Sequence, residues 1–438
     1  MTIIAVAPTL MAGAIIAAAI DDGLLPGRRV LVTVNDAEIP EVTPTIAAHR
    51  GFDSLAARFD EVVHLNDVIA PLHPRGLGAA TPHGRAVQAR LVEAAGGHVS
   101  RLVVPALRRD PVNALARMFP DARIDAVADG LMAYGPTAAR LGRDIAARVE
   151  RHLYVDLVPG TRPRQFADAG AEPVEVAMSG VRAAIASMAG TPTPTDTDEA
   201  WILGEPRSGS GALTPEDNGA LDRRLLDAAA DAGFQAVAFT PHPDARPSYP
   251  VTLAQRAAQR SVRFRVITGA EPTELMLERT RPRAILGRAS TALATASALY
   301  GVPAFSVGTA DLARAIRAKD DPRRVALALT RASVPSLEDG EQPPLAVEAQ
   351  ALLDVLCHDM SPRRHPRPDD SARAAVAQCD GAREIVETPG RERRAHARDE
   401  ADSGQSGGGL VRRAGSVIGR GYRGVRSVLA AVWFSARL

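Results

Sequence analysis

Short apolar runs alternate with longer helix-competent segments from the first residue to about Gly190, stop, and begin again at Trp201. Strands of a parallel sheet are covered on both faces and read as continuous apolar runs, and strand–helix alternation is the pattern of such a sheet with helices on either side. In the first series, strands read at Ile3–Ala7, Val30–Val34, Glu61–Leu65, Arg101–Val104, Ile124–Val127 and His152–Val155, with helices at Leu10–Ile20, Pro111–Phe119 and Thr137–Val149. In the second, strands read at Trp201–Gly204, Gln235–Phe239, Phe264–Ile267, Ala284–Leu286 and Ala304–Val307, with helices at Glu216–Ala232, Thr273–Arg279 and Ala292–Leu299. The interruption, Thr191-Pro-Thr-Pro-Thr-Asp-Thr-Asp198, has nothing to pack with and reads as a linker. The expected fold is therefore α/β, with two Rossmann-like lobes built on parallel sheets and a cleft between them. Residues 1–190 form the first lobe, 191–199 the linker and 200–358 the second lobe.

A chain of 438 residues is long enough for more than one core. With 46% hydrophobic and 24% charged residues it has the balance of a soluble protein, and a net charge of +1 gives no global attraction to nucleic acid or membrane. Cys357 and Cys379 suggest neither a disulfide framework nor a zinc site, which fits a reducing cytosol. Met1-Thr-Ile-Ile-Ala-Val-Ala-Pro8 lacks the basic start of a secretory signal and reads as a first strand. No uncharged apolar stretch reaches the ~18 residues of a membrane span.

Beyond the second lobe the pattern fails. Residues 359–409 are rich in Pro, Arg, Asp, Gly and Ser and are expected to be disordered. Leu410–Leu438 differs again: it carries Arg412, Arg413, Arg420, Arg423, Arg426 and Arg437 with no acidic residue. Val411, Ala414, Ile418, Val425, Leu429 and Val432 share one helical face, with Trp433 beside them. This basic amphipathic segment reads as a helix that lies on an anionic bilayer surface, or one docked on protein. The first reading predicts a cytoplasmic protein held peripherally on the inner face of the plasma membrane.

Ligands of open α/β sheets bind at the carboxyl ends of strands, so chemistry-bearing residues there carry the most weight. Three sets qualify. Asp129-Gly130 ends the run Ile124-Asp-Ala-Val-Ala128; its carboxylate is placed either to take a proton from a hydroxyl or to cap a turn. His242 follows Gln235–Phe239 and is pinned between Pro241 and Pro243, which gives a rigid imidazole suited to a phosphate. Ser290-Thr291 follows Ala284–Leu286 at a helix start, where hydroxyls and free N–H groups cap the helix, cradle a phosphate, or do both. Glu271 and Glu274 after Phe264–Ile267 are candidates for ribose hydroxyls, or are first-turn glutamates that favour the helix dipole. His49, His73, His83 and His98 read as surface-turn histidines. The chain has no HExxH, no CxxC, no convincing acidic metal pair, no Walker A sequence and no strand-borne GxGxxG.

Ala128-Asp129-Gly130, His242-Pro243 and Ser290-Thr291, in this order across two lobes, resemble the motifs of the bacterial GT-B sialyltransferases, the polysialyltransferase and lipooligosaccharide sialyltransferase families. The resemblance implies a GT-B fold and an inverting, metal-independent transfer from CMP-sialic acid to a glycan or lipid-linked saccharide, with no cofactor. It implies Asp129 as general base, and His242-Pro243 with Ser290 and Thr291 at the departing CMP phosphate. Glu271 or Glu274 would lie at the ribose. The first acidic position of the family motif is Ala128 here, which leaves Asp125 as an alternative base if strand alternation turns it inward. Transfer of another CMP-activated ulosonic acid, use of another nucleotide sugar, or a catalytically silent saccharide- or nucleotide-binding scaffold are the rival readings.

Overall fold

The computed structural model describes residues 1–37, 40, 43–137, 141–190, 198–204, 213–241, 248–268, 271–338 and 340–387. His242, Pro243, most of the Thr191–Asp198 tract and the basic segment Leu410–Leu438 lie outside the described residues.

The first lobe is a seven-stranded sheet. Its strands are β1 (Thr2–Ala7), β2 (Arg28–Thr33), β3 (Glu61–His64), β4 (Arg101–Pro105), β5 (Arg123–Val127), β6 (Val149–Tyr154) and β7 (Glu172–Glu175). They lie in the order β3-β2-β1-β4-β5-β6-β7, and every pairing is parallel. The second lobe is a five-stranded parallel sheet of β8 (Glu199–Leu203), β9 (Ala236–Thr240), β10 (Arg263–Val266), β11 (Ala284–Gly287) and β12 (Ala304–Ser306), in the order β10-β9-β8-β11-β12. Both sheets reverse their winding at the first strand of the lobe. The switch points fall between β1 and β4 and between β8 and β11, where the carboxyl ends leave a crevice for ligands.

The helix Leu10–Asp21 shows why the two lobes stay together. It is apolar all round, and Leu10 to Ile20 are buried without exception. A helix with no polar face must be covered on every side. It packs on Met178–Ala189, which packs in turn on Thr273–Arg279 of the second lobe. One apolar core thus runs from Ile3, Val103 and Leu153 in the first lobe to Trp201, Ile285 and Leu293 in the second. The chain then crosses back: the helix Ala349–Met360 lies on Arg323–Ser333 of the second lobe. From there Asp354 Oδ2 accepts from Arg164 Nη2 at 2.6 Å, and Gln350 Oε1 accepts from the backbone N–H of Arg162 at 2.7 Å.

Two expectations need correcting. Residues 359–387 are not disordered, because Asp370–Gln378 and Asp380–Val386 are helices. Asp369 caps the first, accepting from Ala372 N at 2.7 Å, and Val376, Ala382 and Ile385 are buried. The guanidinium of buried Arg324 grips the carbonyls of Ile385 (3.1 Å) and Val386 (2.5 Å). Few apolar residues suffice here because they meet an existing surface. The expected helix Thr137–Val149 shrinks, among its described residues, to Arg143–Ala146, and Val149 already begins β6. Among the described residues no helix is long and apolar enough to cross a membrane.

Candidate active site

On the first lobe, β5 delivers Ala128 into the core and leaves the half-buried Asp129 at the carboxyl edge. Thr9 sits at the end of β1, two strands away in the sheet, and caps the helix Leu10–Asp21 by accepting from Ala12 N at 3.1 Å. The same hydroxyl donates to Asp129 Oδ2 at 3.1 Å. Burial raises the Asp129 carboxyl above the usual carboxylate range, the Thr9 hydrogen bond opposes that rise, and the charge of Asp36 adds to it. A carboxylate with raised basicity, oriented by a fixed hydroxyl, is equipped to take a proton.

Asp125 does not share this place. It is fully buried within β5, where Arg101 donates to Oδ1 and Arg151 Nε donates to the same oxygen at 3.0 Å. Its carboxylate is engaged in a buried ion cluster inside the strand, away from the carboxyl edge where Asp129 lies.

On the second lobe, β11 ends at the switch point and the chain turns through Arg288 to Ser290. Arg288 is buried, and its guanidinium donates to Asn218 Oδ1 and Asp222 Oδ1, each at 2.7 Å, on the helix Pro215–Asp231. The turn is thereby anchored. Ser290 caps the helix Thr291–Tyr300, with Oγ accepting from Ala292 N at 3.3 Å. Ser290 O also accepts from Leu293 N at 3.1 Å, and the aligned peptide dipoles give the helix start a partial positive charge.

Glu271 and Glu274 separate in role. Arg279 donates to Glu271 and pairs with it. In the first lobe, burial holds the His49 imidazole below its ordinary pKa, with the charge of Glu271 from the second lobe opposing. His49 is half-buried at the bend that follows the short helix Ile46–Ala48. Glu274 opens the helix Thr273–Arg279, and its carboxyl is raised by burial and then by the charge of Asp129. The charge of Asp129 thus reaches Glu274 across the lobes.

The lobes also touch directly. The backbone N–H of buried Leu131 donates to Thr291 Oγ1 at 3.1 Å, and a Cβ at Gly130 would lie 2.9 Å from that oxygen. The structure brings Thr9, Asp129, Glu274, Ser290 and Thr291 to one seam, while His242 and Pro243 lie outside the described residues. Thr9, the Leu131 N–H and Arg288 were not found by sequence reasoning. Only Thr9 left a usable signal, since Pro8-Thr9 before a long apolar helix is an N-cap signature.

A family model for alpha-2,8-polysialyltransferase (POLYST) matches residues 9–309, a span that begins at Thr9 and includes Asp129, His242, Ser290 and Thr291. The chain belongs to this family. It is a sialyltransferase-like glycosyltransferase of two parallel-sheet α/β lobes. Among solved structures, similar ones include a glycosyltransferase from Rickettsia africae (9% identity, 92% of this chain, 99% of that chain, TM-score 0.37). MurG from Acinetobacter baumannii is another (12% identity, 92% and 99%, TM-score 0.38). A third is the GT-B domain of a sialyltransferase from Photobacterium damselae (14% identity, 75% and 97%, TM-score 0.38). No curated protein sequence matches the chain.

Proposed function

We propose that this family member transfers sialic acid from CMP-sialic acid to a hydroxyl of a glycan or lipid-linked saccharide, with inversion at the anomeric carbon and without a metal. The observation that carries the reading is the meeting of Asp129-Gly130-Leu131 with Ser290-Thr291 across the lobes, in a chain of the polysialyltransferase family. A base on one side and a phosphate cradle on the other are what a single displacement needs.

In this mechanism the Asp129 carboxylate takes the acceptor hydroxyl proton as the oxygen attacks the anomeric carbon. The bond from that carbon to the CMP phosphate oxygen breaks, and its electron pair leaves with CMP. The charge appearing on the phosphate is met by the start of the helix Thr291–Tyr300, by the hydroxyls of Ser290 and Thr291, and by the His242 imidazole, which donates a proton or a hydrogen bond. The sequence places that histidine between Pro241 and Pro243. Glu274 and the Arg279-paired Glu271 supply carboxylates for the ribose. The basic segment Leu410–Leu438 holds the enzyme on an anionic inner-leaflet surface beside its acceptors.

The test is CMP release and sialyl transfer from CMP-sialic acid by wild type, Asp129→Asn and His242→Ala, with calorimetric binding of CMP against UDP and GDP. The reading expects CMP to bind best and both variants to lose most of their turnover. Full activity in either variant would overturn the mechanism. Preference for UDP or GDP would reassign the donor, and CMP binding without turnover on any acceptor would make the protein a scaffold. Unchanged membrane recovery after deletion of 410–438 would remove the membrane claim.

A further inference from the structure

The Thr291 hydroxyl stands between two parts of the reaction that belong to different lobes. It opens the helix whose start, with the Ser290 and Thr291 hydroxyls, is the proposed phosphate cradle, and it accepts the N–H of Leu131, two residues after Asp129. Leu131 is fully buried and its N–H has no backbone partner among the described residues, so without Thr291 a buried donor would be left orphaned. A hydroxyl offers one donated hydrogen and two acceptor lone pairs. Thr291 can therefore accept from Leu131 and still donate its own hydrogen toward an anion.

Gly130 shows how close the approach is. Its φ of −173° is extended backbone that any residue adopts, so the turn itself does not require glycine. The constraint is space: a Cβ there would lie 2.9 Å from Thr291 Oγ1, and the branched threonine side chain has few rotamers in which to yield. An added methyl would push the Asp129 loop away from the cradle.

We propose that Thr291 is a positioning residue that sets the gap between the base and the leaving phosphate, with Gly130 as the clearance that lets the gap close. The proposal rests on Asp129 acting as the base. It separates Thr291 from Ser290, whose hydroxyl caps its own helix at Ala292 N and has no partner in the other lobe among the described residues. Proximity effects are steep in distance: a displacement of about 1 Å at a reacting group costs on the order of 10²-fold in rate.

The experiment measures kcat, donor KM and calorimetric CMP affinity in the full-length enzyme for Gly130→Ala, Thr291→Ser, Thr291→Val and Asp129→Asn. Gly130→Ala keeps both hydroxyls and the whole cradle, so CMP affinity and donor KM should hold while kcat falls about 10- to 100-fold. Thr291→Ser keeps the acceptor oxygen and should retain most of kcat, whereas Thr291→Val should lose it. Wild-type kcat in Gly130→Ala, or a loss there matched by an equal loss of CMP affinity, would overturn the proposal while leaving the base in place. Equal kcat in Thr291→Ser and Thr291→Val would overturn it too, even if Gly130→Ala fails to fold. Wild-type turnover in Asp129→Asn would overturn the base assignment and the proposal together.

Discussion

The hydroxyl of Thr9 lies 3.1 Å from Asp129 Oδ2 and donates to it while accepting the N–H of Ala12. One side chain thus satisfies the start of a buried helix and fixes the carboxylate proposed as base. The bond favours the ionised carboxylate, against the burial that raises its pKa. In Thr9→Val that opposition is lost, so Asp129 should hold its proton to higher pH. The acid limb of the kcat/KM profile should therefore move upward in pH, with lower activity on the acid side. Thr9→Ser should restore the wild-type profile, since it keeps donor and acceptor. Loss of the cap should also cost about 1 kcal/mol of stability in the valine variant alone.

How much of this was legible in the sequence depended on where each residue's role is decided. The strands Ile3–Ala7 and Gln235–Phe239 could be read because burial on both faces leaves Ile3–Ala7 and Ala236–Phe239 without a polar residue to break the run. The start of β6 was hidden by Glu150 and Arg151, whose charges are spent on the Asp125 cluster and not on solvent. The helices after Ser361 were hidden because Val376, Ala382 and Ile385 are too few to lift the local composition, although each meets an existing surface. Asp129, Ser290 and Thr291 could be picked out because their place at strand ends is a local property. The engagement of Glu271 by Arg279, of Thr9 with Asp129 and of Thr291 with Leu131 is decided by tertiary neighbours, which one sequence does not display.

Arg288 and Asp222 form an ion pair with both side chains about 3% exposed, and they anchor the turn that leads into Ser290. Breaking such a pair leaves a buried charge, but the two halves are unequal. Burial raises the Asp222 carboxyl above its ordinary range even beside Arg288, so without the cation it can neutralise itself by taking a proton. An abandoned guanidinium cannot shed its charge. Asp222→Ala should therefore cost about 3–5 kcal/mol in denaturant unfolding, and Arg288→Met should cost less. The apolar double variant Arg288→Met/Asp222→Leu should recover most of the Asp222→Ala loss.

Asp125 and Asp129 lie four residues apart on one strand and its end, yet they should fail in opposite ways. Asp125 balances Arg101 and Arg151, and Arg101 also reaches Glu150 Oε2 at 2.8 Å. Asp125→Asn should lower the denaturation midpoint by an amount equivalent to about 3 kcal/mol while the folded fraction turns over normally. Asp129→Asn should do the reverse, with turnover lost and the midpoint held. Loss of turnover in folded Asp125→Asn would return that residue to the list of bases.

His152 should set much of the acid sensitivity of the first lobe. It is 1% exposed on β6, with its ring edge-on to Phe166 at 5.6 Å between centroids. Burial lowers its pKa to about 4, with the backbone at Gln165 opposing. An unfolded histidine titrates near 6.5. Between those two values the unfolded chain binds the proton and the folded one does not, so stability is complete above about pH 6.5 and falls as pH drops toward 4. The loss from this residue should approach about 3 kcal/mol by pH 4, at about 1.4 kcal/mol per pH unit. His152→Leu should flatten the fall in unfolding free energy between pH 6.5 and 4 and leave neutral-pH turnover unchanged. If the variant kept the full wild-type pH dependence, His152 would not be the group that titrates on acid unfolding.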